Sequence, residues 1–283
     1  LMAALLDDHL LEYELVTKKL NITLPVIRAL EEQGVLAIES EQVFRTPLKE
    51  TGRQEETIDY TPEQRRIIDR FREDYLQGIR HTYLIHGVTG SGKTEVYMEM
   101  IRTVVEQGRQ AIVLIPEIAL TYQTVMRFYR RFGDRVAIMN SRLSAGERYD
   151  QMMRARAGQV DVMIGPRSAL FTPFPNLGLI VIDEEHEPTY KSEQTPRYHA
   201  RETAIRRAQT EDAGVVLGSA TPSLEAMYRA RRGEYVLFEM KNRSRMQQMA
   251  QVYTVDMREE LKNGNRSILS RKLMELMAER LAK

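Results

Sequence analysis

The octapeptide GVTGSGKT, Gly87 to Thr94, has the spacing G-x-x-x-x-G-K-[ST]. An apolar run, HTYLIHG, leads into it, and a helical pattern, TEVYMEMIRTVVEQG, leads out. Glycines in that setting let backbone N–H groups curl around phosphate oxygens, and the helix start adds partial positive charge. Gly87, Val88, Thr89, Gly90, Ser91, Gly92, Lys93 and Thr94 are therefore candidate nucleotide contacts. Lys93 can reach β- and γ-phosphates, and the Thr94 hydroxyl suits Mg²⁺. A second cluster, LIVIDEEH, delivers acids at the end of an apolar strand, with Asp183 placed to hold Mg²⁺ and Glu184 to activate the attacking water. Lys93, Asp183 and Glu184 together make a catalytic set for ATP hydrolysis with Mg²⁺, whose ligands would be Thr94 and Asp183.

Two further stretches belong with these. GSATPS, Gly218 to Ser223, again follows an apolar run, so Ser219, Ala220 and Thr221 stand where they can hydrogen-bond the acids and sense the nucleotide. The same residues read as a helix start, with Thr221 as N-cap and Pro222 at the first helical position. In YTPEQ, Gln64 is either an adenine contact or the closing residue of a capping box begun by Thr61. His186 and His199 as a metal pair lack further ligands at suitable spacing.

Such loops need strands and helices to aim them. HTYLIHG, QAIVLIP, RVAIMNS, VDVMIGP, GLIVIDEE and GVVLGSA are strand-like and nearly all apolar, with amphipathic helical patterns between several of them. That alternation predicts an α/β fold, a doubly wound parallel sheet, over residues 60–235, and with its phosphate loop it resembles the P-loop, RecA-like kind. Residues 1–50 read as three helices and a β-ribbon, the pattern of a small winged-helix domain. Its third helix, TLPVIRALEEQG, offers Arg28 against Glu31 and Glu32, which argues for backbone contact or packing over sequence reading. Residues 51–59 read as a linker. Residues 236–283, with strand-like VYTVDM and helical SRKLMELMAERLAK, read as the start of a connection to further domains.

Composition narrows the field. The 283 residues include no cysteine, which excludes disulfides and thiolate zinc sites within this chain. With 41 basic and 40 acidic residues the net charge is +1, so any nucleic-acid contact must rest on local patches. Runs such as AIVLI and GLIVI are too short to cross a bilayer. The first residues lack a basic signal-like region and begin with Leu, so a cytoplasmic protein, seen as an excised fragment, is expected.

The order of phosphate loop, DEEH and S-A-T resembles superfamily 2 helicases of the DExH type. From about Tyr60 onward, GVTGSGKTEVY, PEIALT, IGPRSALFTPFPNLGLIVIDEEHEPTYK, PRYHARE and LGSATPSLE are similar to the replication-restart helicases of bacterial primosomes. The resemblance implies an ATP-dependent 3′-to-5′ DNA helicase that binds forked and single-stranded DNA. It also implies other primosome proteins and single-strand-binding protein as partners, no membrane role, and a zinc region, a second motor lobe and a 3′-end-binding domain outside this chain. PEIAL and GPRSALF match DNA-contacting motifs, with Arg167 and Ser168 as candidates. The segment after DEEH resembles an aromatic-rich loop that joins single-stranded DNA to the ATP site, through Tyr190, Lys191, Arg197, Tyr198, His199 and Arg201. Bases stack on Tyr or His while Lys and Arg meet phosphates. MNSRLS departs from the family, with Asn140 where a His is usual. Without a second lobe, the fragment is expected to bind nucleotide and hydrolyse little. A double-strand translocase and an ATP-switched loading platform are the alternative readings.

Overall fold

Strands that are apolar on both faces need cover on both sides. The computed structural model, which describes residues 16–17, 20–37, 59–243 and 252–281, supplies it around one seven-stranded sheet. The strands are β1 (Thr82–Gly87), β2 (Gln110–Leu114), β3 (Val136–Ile138), β4 (Val162–Gly165), β5 (Leu177–Asp183), β6 (Gly214–Ser219) and β7 (Val236–Met240). Their order is β3-β4-β2-β5-β6-β1-β7, and every neighbouring pair is parallel. The helices are α1 (Leu24–Glu32), α2 (Pro62–Leu76), α3 (Lys93–Glu106), α4 (Tyr122–Phe132), α5 (Ala145–Arg156), α6 (Ala200–Thr210), α7 (Leu224–Arg231), α8 (Met257–Lys262) and α9 (Arg271–Leu281).

Alternate residues of each strand feed two cores. Tyr83, Ile85, Ala111, Val113, Leu179 and Val181 meet Ile67 and Phe71 of α2, Val96 and Met100 of α3, and Phe128 of α4. Leu84, Ile112, Leu114, Ile180 and Ile182 meet the opposite layer, where Ala200, Ala204 and Ala208 line the buried face of α6. Small side chains there bring that helix close to the sheet. Among the described residues no helix is long and apolar enough to cross a membrane.

Several expectations need correction. The sheet runs past Tyr235: Val236–Met240 pairs in parallel with β1 and completes its outer edge. Val252–Asp256 forms no strand; the Asp256 side chain instead accepts from Arg258 N and caps α8. The cap of α7 is Ser223, whose side chain accepts from Ala226 N, not Thr221. Of the winged-helix reading, α1 is described and Val35–Ala37 carry no strand; the other two helices and the rest of the ribbon lie wholly or mostly outside the described residues, as does most of the 51–59 linker.

One buried charge ties the α2–α3–α4 layer together. Glu99 of α3 is 2% exposed and accepts from the Tyr60 hydroxyl at 3.0 Å and from Arg72 at 3.0 Å. Arg102 and Arg131 also bond its carboxylate. A carboxylate out of water is tolerated only with such partners. Glu99→Ala is therefore expected to cost about 2–3 kcal/mol, somewhat below the range for a fully buried pair because Arg72 and Arg102 are partly exposed. Urea unfolding checks this: the midpoint should fall with an unchanged slope, and Glu99→Gln should lose less.

Candidate active site

The register brings three strand ends into one row. Asp183 of β5 lies opposite Gly218 of β6, and Gly218 lies opposite Ile85 of β1. β6 thus separates the acidic strand from the phosphate-loop strand, and all three open on the carboxyl edge, where ligands of such sheets bind.

The loop after β1 turns through Gly90 and Gly92, at φ of +80° and +83°, conformations that side chains disfavour. Val88 N donates to Met240 O at 3.1 Å, so β7 props the loop from outside. Gln64 props it from beneath. Its Nε2 donates to Ser91 O at 3.0 Å while its Oε1 accepts from Thr61 N at 2.9 Å. The capping box at the start of α2 is therefore present, and its glutamine also braces the phosphate loop. Lys93, 8% exposed, donates from Nζ to Gly87 O at 2.8 Å, back to the residue that opens the loop. Ser91 Oγ is a buried hydroxyl without a hydrogen-bond partner.

These features fit an anionic polyphosphate, which would take the loop N–H groups, the Ser91 hydroxyl and Lys93. Thr94 and Asp183 offer the hard oxygens that Mg²⁺ prefers, phosphate and water completing its shell. Bound there, the ion would supply charge neutralisation between phosphates.

Asp183 is the most constrained group of the site. Its Oδ1 accepts from the Tyr97 hydroxyl at 3.1 Å. Burial raises its pKa from 3.8 to about 6; the neighbouring Glu184 adds to the rise, and the Lys93 charge and the Tyr97 bond oppose it. Glu184 itself sits at φ +49°, a left-handed turn that costs a non-glycine residue of order 1 kcal/mol or more. Two bonds hold the turn: Glu185 N to Gly218 O at 3.0 Å and Glu187 N to Glu184 O at 2.9 Å. Partly exposed, the Glu184 carboxylate is 3.7 Å from His186 Nδ1. That imidazole nitrogen also bonds Ser219 Oγ at 2.7 Å, and Ser219 Oγ accepts from Thr221 N at 3.0 Å.

Glu185 serves a different purpose. It is 1% exposed and receives Arg201 at 3.0 Å, Ser223 N at 2.6 Å and Ser223 Oγ at 3.1 Å. One buried carboxylate thus joins the acidic turn, the first turn of α6 and the cap of α7.

The segment after the acids doubles back. Lys191 bridges His199, and Ser192 N donates to Tyr198 O at 2.8 Å, which leaves Glu193–Arg197 exposed at the tip. Arg167 clasps its root through Thr189 O at 2.9 Å and Lys191 O at 2.6 Å. Phe171 meets the Tyr198 ring edge-on at 5.2 Å. His199 caps α6, its Nδ1 accepting from Arg201 N at 3.2 Å; burial and then the Arg201 charge push its pKa down.

A model of the DEAD/DEAH box helicases matches residues 53–230. The chain belongs to the DEAD/DEAH box helicase family. It is 48% identical over 267 residues to the replication restart protein PriA of Bacillus subtilis (strain 168), covering 94% of this chain and 33% of that protein. It is 43% identical over 262 residues to the PriA of Synechocystis sp. (strain ATCC 27184 / PCC 6803 / Kazusa), covering 91% and 31%. The chain therefore spans about a third of the length of the curated relatives it matches. Among solved structures, RecG bound to a three-way DNA junction aligns with a TM-score of 0.49 at 25% identity, over 65% of this chain and 24% of that one.

Within this DEAD/DEAH box lobe, two of the residues expected to bind DNA or couple it to the ATP site face the core. Tyr190 is 1% exposed, and its hydroxyl bonds Asp183 O at 2.7 Å and Leu114 O at 3.0 Å, so it offers no face for a base. Arg201 is buried in its pair with Glu185. Both were read as loop residues, but each sits where the loop enters the core. Lys191, Arg197 and Ser168 are exposed, and Tyr198, His199 and Arg167 are partly so. Asn140 closes a local turn, accepting from Arg142 N and Leu143 N. Tyr97, Glu185 and His186 escaped the sequence reading as site residues. The last two stand inside DEEH itself, and Tyr97 follows Lys93 by four, on the same helix face.

Removing the Asp183 charge has a signed consequence. Its raised pKa means that the folded chain holds the proton more tightly than the unfolded one, so the ionised form costs stability above pH 6, on the order of 2–3 kcal/mol. Asp183→Asn is expected to raise the melting temperature by several degrees at pH 7.5. The gain should shrink as pH falls through 6 and vanish below 3.8, as thermal unfolding across that range will read.

Proposed function

We propose that this chain carries the nucleotide-binding motor lobe of an ATP-dependent replication-restart DNA helicase. The observation that supports it best is the convergence of Lys93, Asp183 and Glu184 on the carboxyl ends of β1 and β5, in a chain similar to PriA over nearly its whole length. ATP with Mg²⁺ occupies the loop Gly87–Thr94, and Gln64 adds an adenine contact beside its bracing role. Glu184 orients the attacking water.

DNA runs over the exposed groups beside this site. Ser168, Lys191 and Arg197 meet phosphates, while Tyr198, paired with Phe171, offers an aromatic face. Tyr190 and Arg201 transmit from the loop to Asp183 and Glu185 rather than touching the strand. The longer protein works at stalled or branched forks, moves 3′-to-5′, and assembles with primosome proteins and single-strand-binding protein in the cytoplasm. Its zinc region and second lobe lie outside this chain. Alone, the chain binds nucleotide and hydrolyses little.

Two measurements test this reading. This chain should bind a fluorescent ATP analogue in the presence of Mg²⁺, and Lys93→Ala should weaken binding at least tenfold; equal binding by the variant would sink the site assignment. In the longer protein, forked DNA should stimulate ATP hydrolysis, with Tyr198→Ala reducing the stimulation several-fold and leaving the DNA-free rate within about twofold. Loss of both rates together would make Tyr198 a packing residue.

A further inference from the structure

Lys93 and Tyr97 are four residues apart and share a face of α3. Tyr97 is fully buried, yet its hydroxyl is not merely packed: it donates to Asp183 Oδ1 at 3.1 Å. To reach β5 from a helix that follows β1, the phenol must cross β6, which lies between them. It crosses at Gly218. A Cβ on Gly218 would stand 1.5 Å from the Tyr97 hydroxyl oxygen and 2.6 Å from its Cζ. Gly218 lies within an ordinary β-strand and is not among the positive-φ residues, so its backbone needs no glycine. What the position requires is the missing side chain. A buried phenol needs an acceptor, and the acceptor supplied here is the carboxylate best placed to hold the metal.

We propose that Tyr97 is a positioning residue: admitted through the gap at Gly218, its hydroxyl fixes the orientation of Asp183 so that the carboxylate meets the divalent cation arriving with the nucleotide. The inference rests on the ATP–Mg²⁺ reading above and deepens it. Lys93 and Tyr97 then address one site from one helix, the first at the phosphates and the second at the acid across the sheet. The phenol does not touch the cation; it acts through Asp183, as groups behind metal ligands do.

The test uses Mn²⁺ as the probe, read by electron paramagnetic resonance with a non-hydrolysable ATP analogue on this chain. Tyr97→Phe keeps the ring in its pocket and removes one oxygen. Expected are about tenfold weaker Mn²⁺ binding in the nucleotide complex, metal-free nucleotide affinity within about twofold of wild type, and a melting temperature within a few degrees. Gly218→Ala, which closes the gap while keeping the hydroxyl, should show the same selective loss. Mn²⁺ binding by Tyr97→Phe equal to wild type overturns the proposal, and so does an equal loss of metal-free nucleotide affinity, since that marks a packing role. If wild type itself binds no Mn²⁺ with the nucleotide, the ATP–Mg²⁺ reading falls and the proposal with it.

Discussion

A half-buried carboxylate at the end of β5 is the constraint around which the rest is arranged. Asp183 is costly to ionise where it sits, because burial disfavours its charge. The fold sets two phenols about it from different directions. Tyr97 comes from the helix after the phosphate loop and takes the side chain. Tyr190 comes from the segment after the acids and takes the backbone carbonyl, bonding also to Leu114 at the end of β2. Side chain and backbone of one residue are thus held by separate elements, and Lys93 lends opposite charge.

The acids of DEEH divide their labour by exposure. Asp183 and Glu184 lie at the open edge, Glu185 is interior, and His186 reaches across to β6. Glu185 with Arg201 and Ser223 makes a buried knot from three segments distant in the chain. Breaking such a pair from one side leaves an uncompensated charge, so the knot resists piecemeal change. It also fixes the origin of the doubled-back loop, while the loop's tip stays in solvent. The loop has a rigid root and an open end.

Much of this was legible in the residues. Apolar strands with amphipathic helices between them announced a two-sided parallel sheet, and the phosphate loop and the acids appear at strand ends as their spacing required. β7 was harder to read: Val236–Met240 is short, includes Glu239, and gains its place only by pairing with β1 and propping the loop at Val88. Tyr190 and Arg201, expected to bind DNA or couple it to the ATP site, are buried for a related reason. Composition ranks tyrosine and arginine as good DNA contacts, but whether a given one faces solvent depends on long-range partners such as Leu114 and Glu185, which no local pattern reports. Gln64 shows the converse, since its two readings were not exclusive and the capping box is also a brace.

The Arg167 clasp bears on how the loop tolerates change. Its guanidinium grips two main-chain carbonyls, at Thr189 and Lys191, and also meets the Tyr198 side chain. Every amino acid, proline included, keeps its carbonyl. The two carbonyl bonds are therefore blind to which residues occupy positions 189 and 191, while the Tyr198 contact is not. Substitutions at the exposed tip, Glu193–Arg197, can trade one surface chemistry for another without loosening this grip, which makes the tip a natural place for specificity to drift or for a designer to graft a new one.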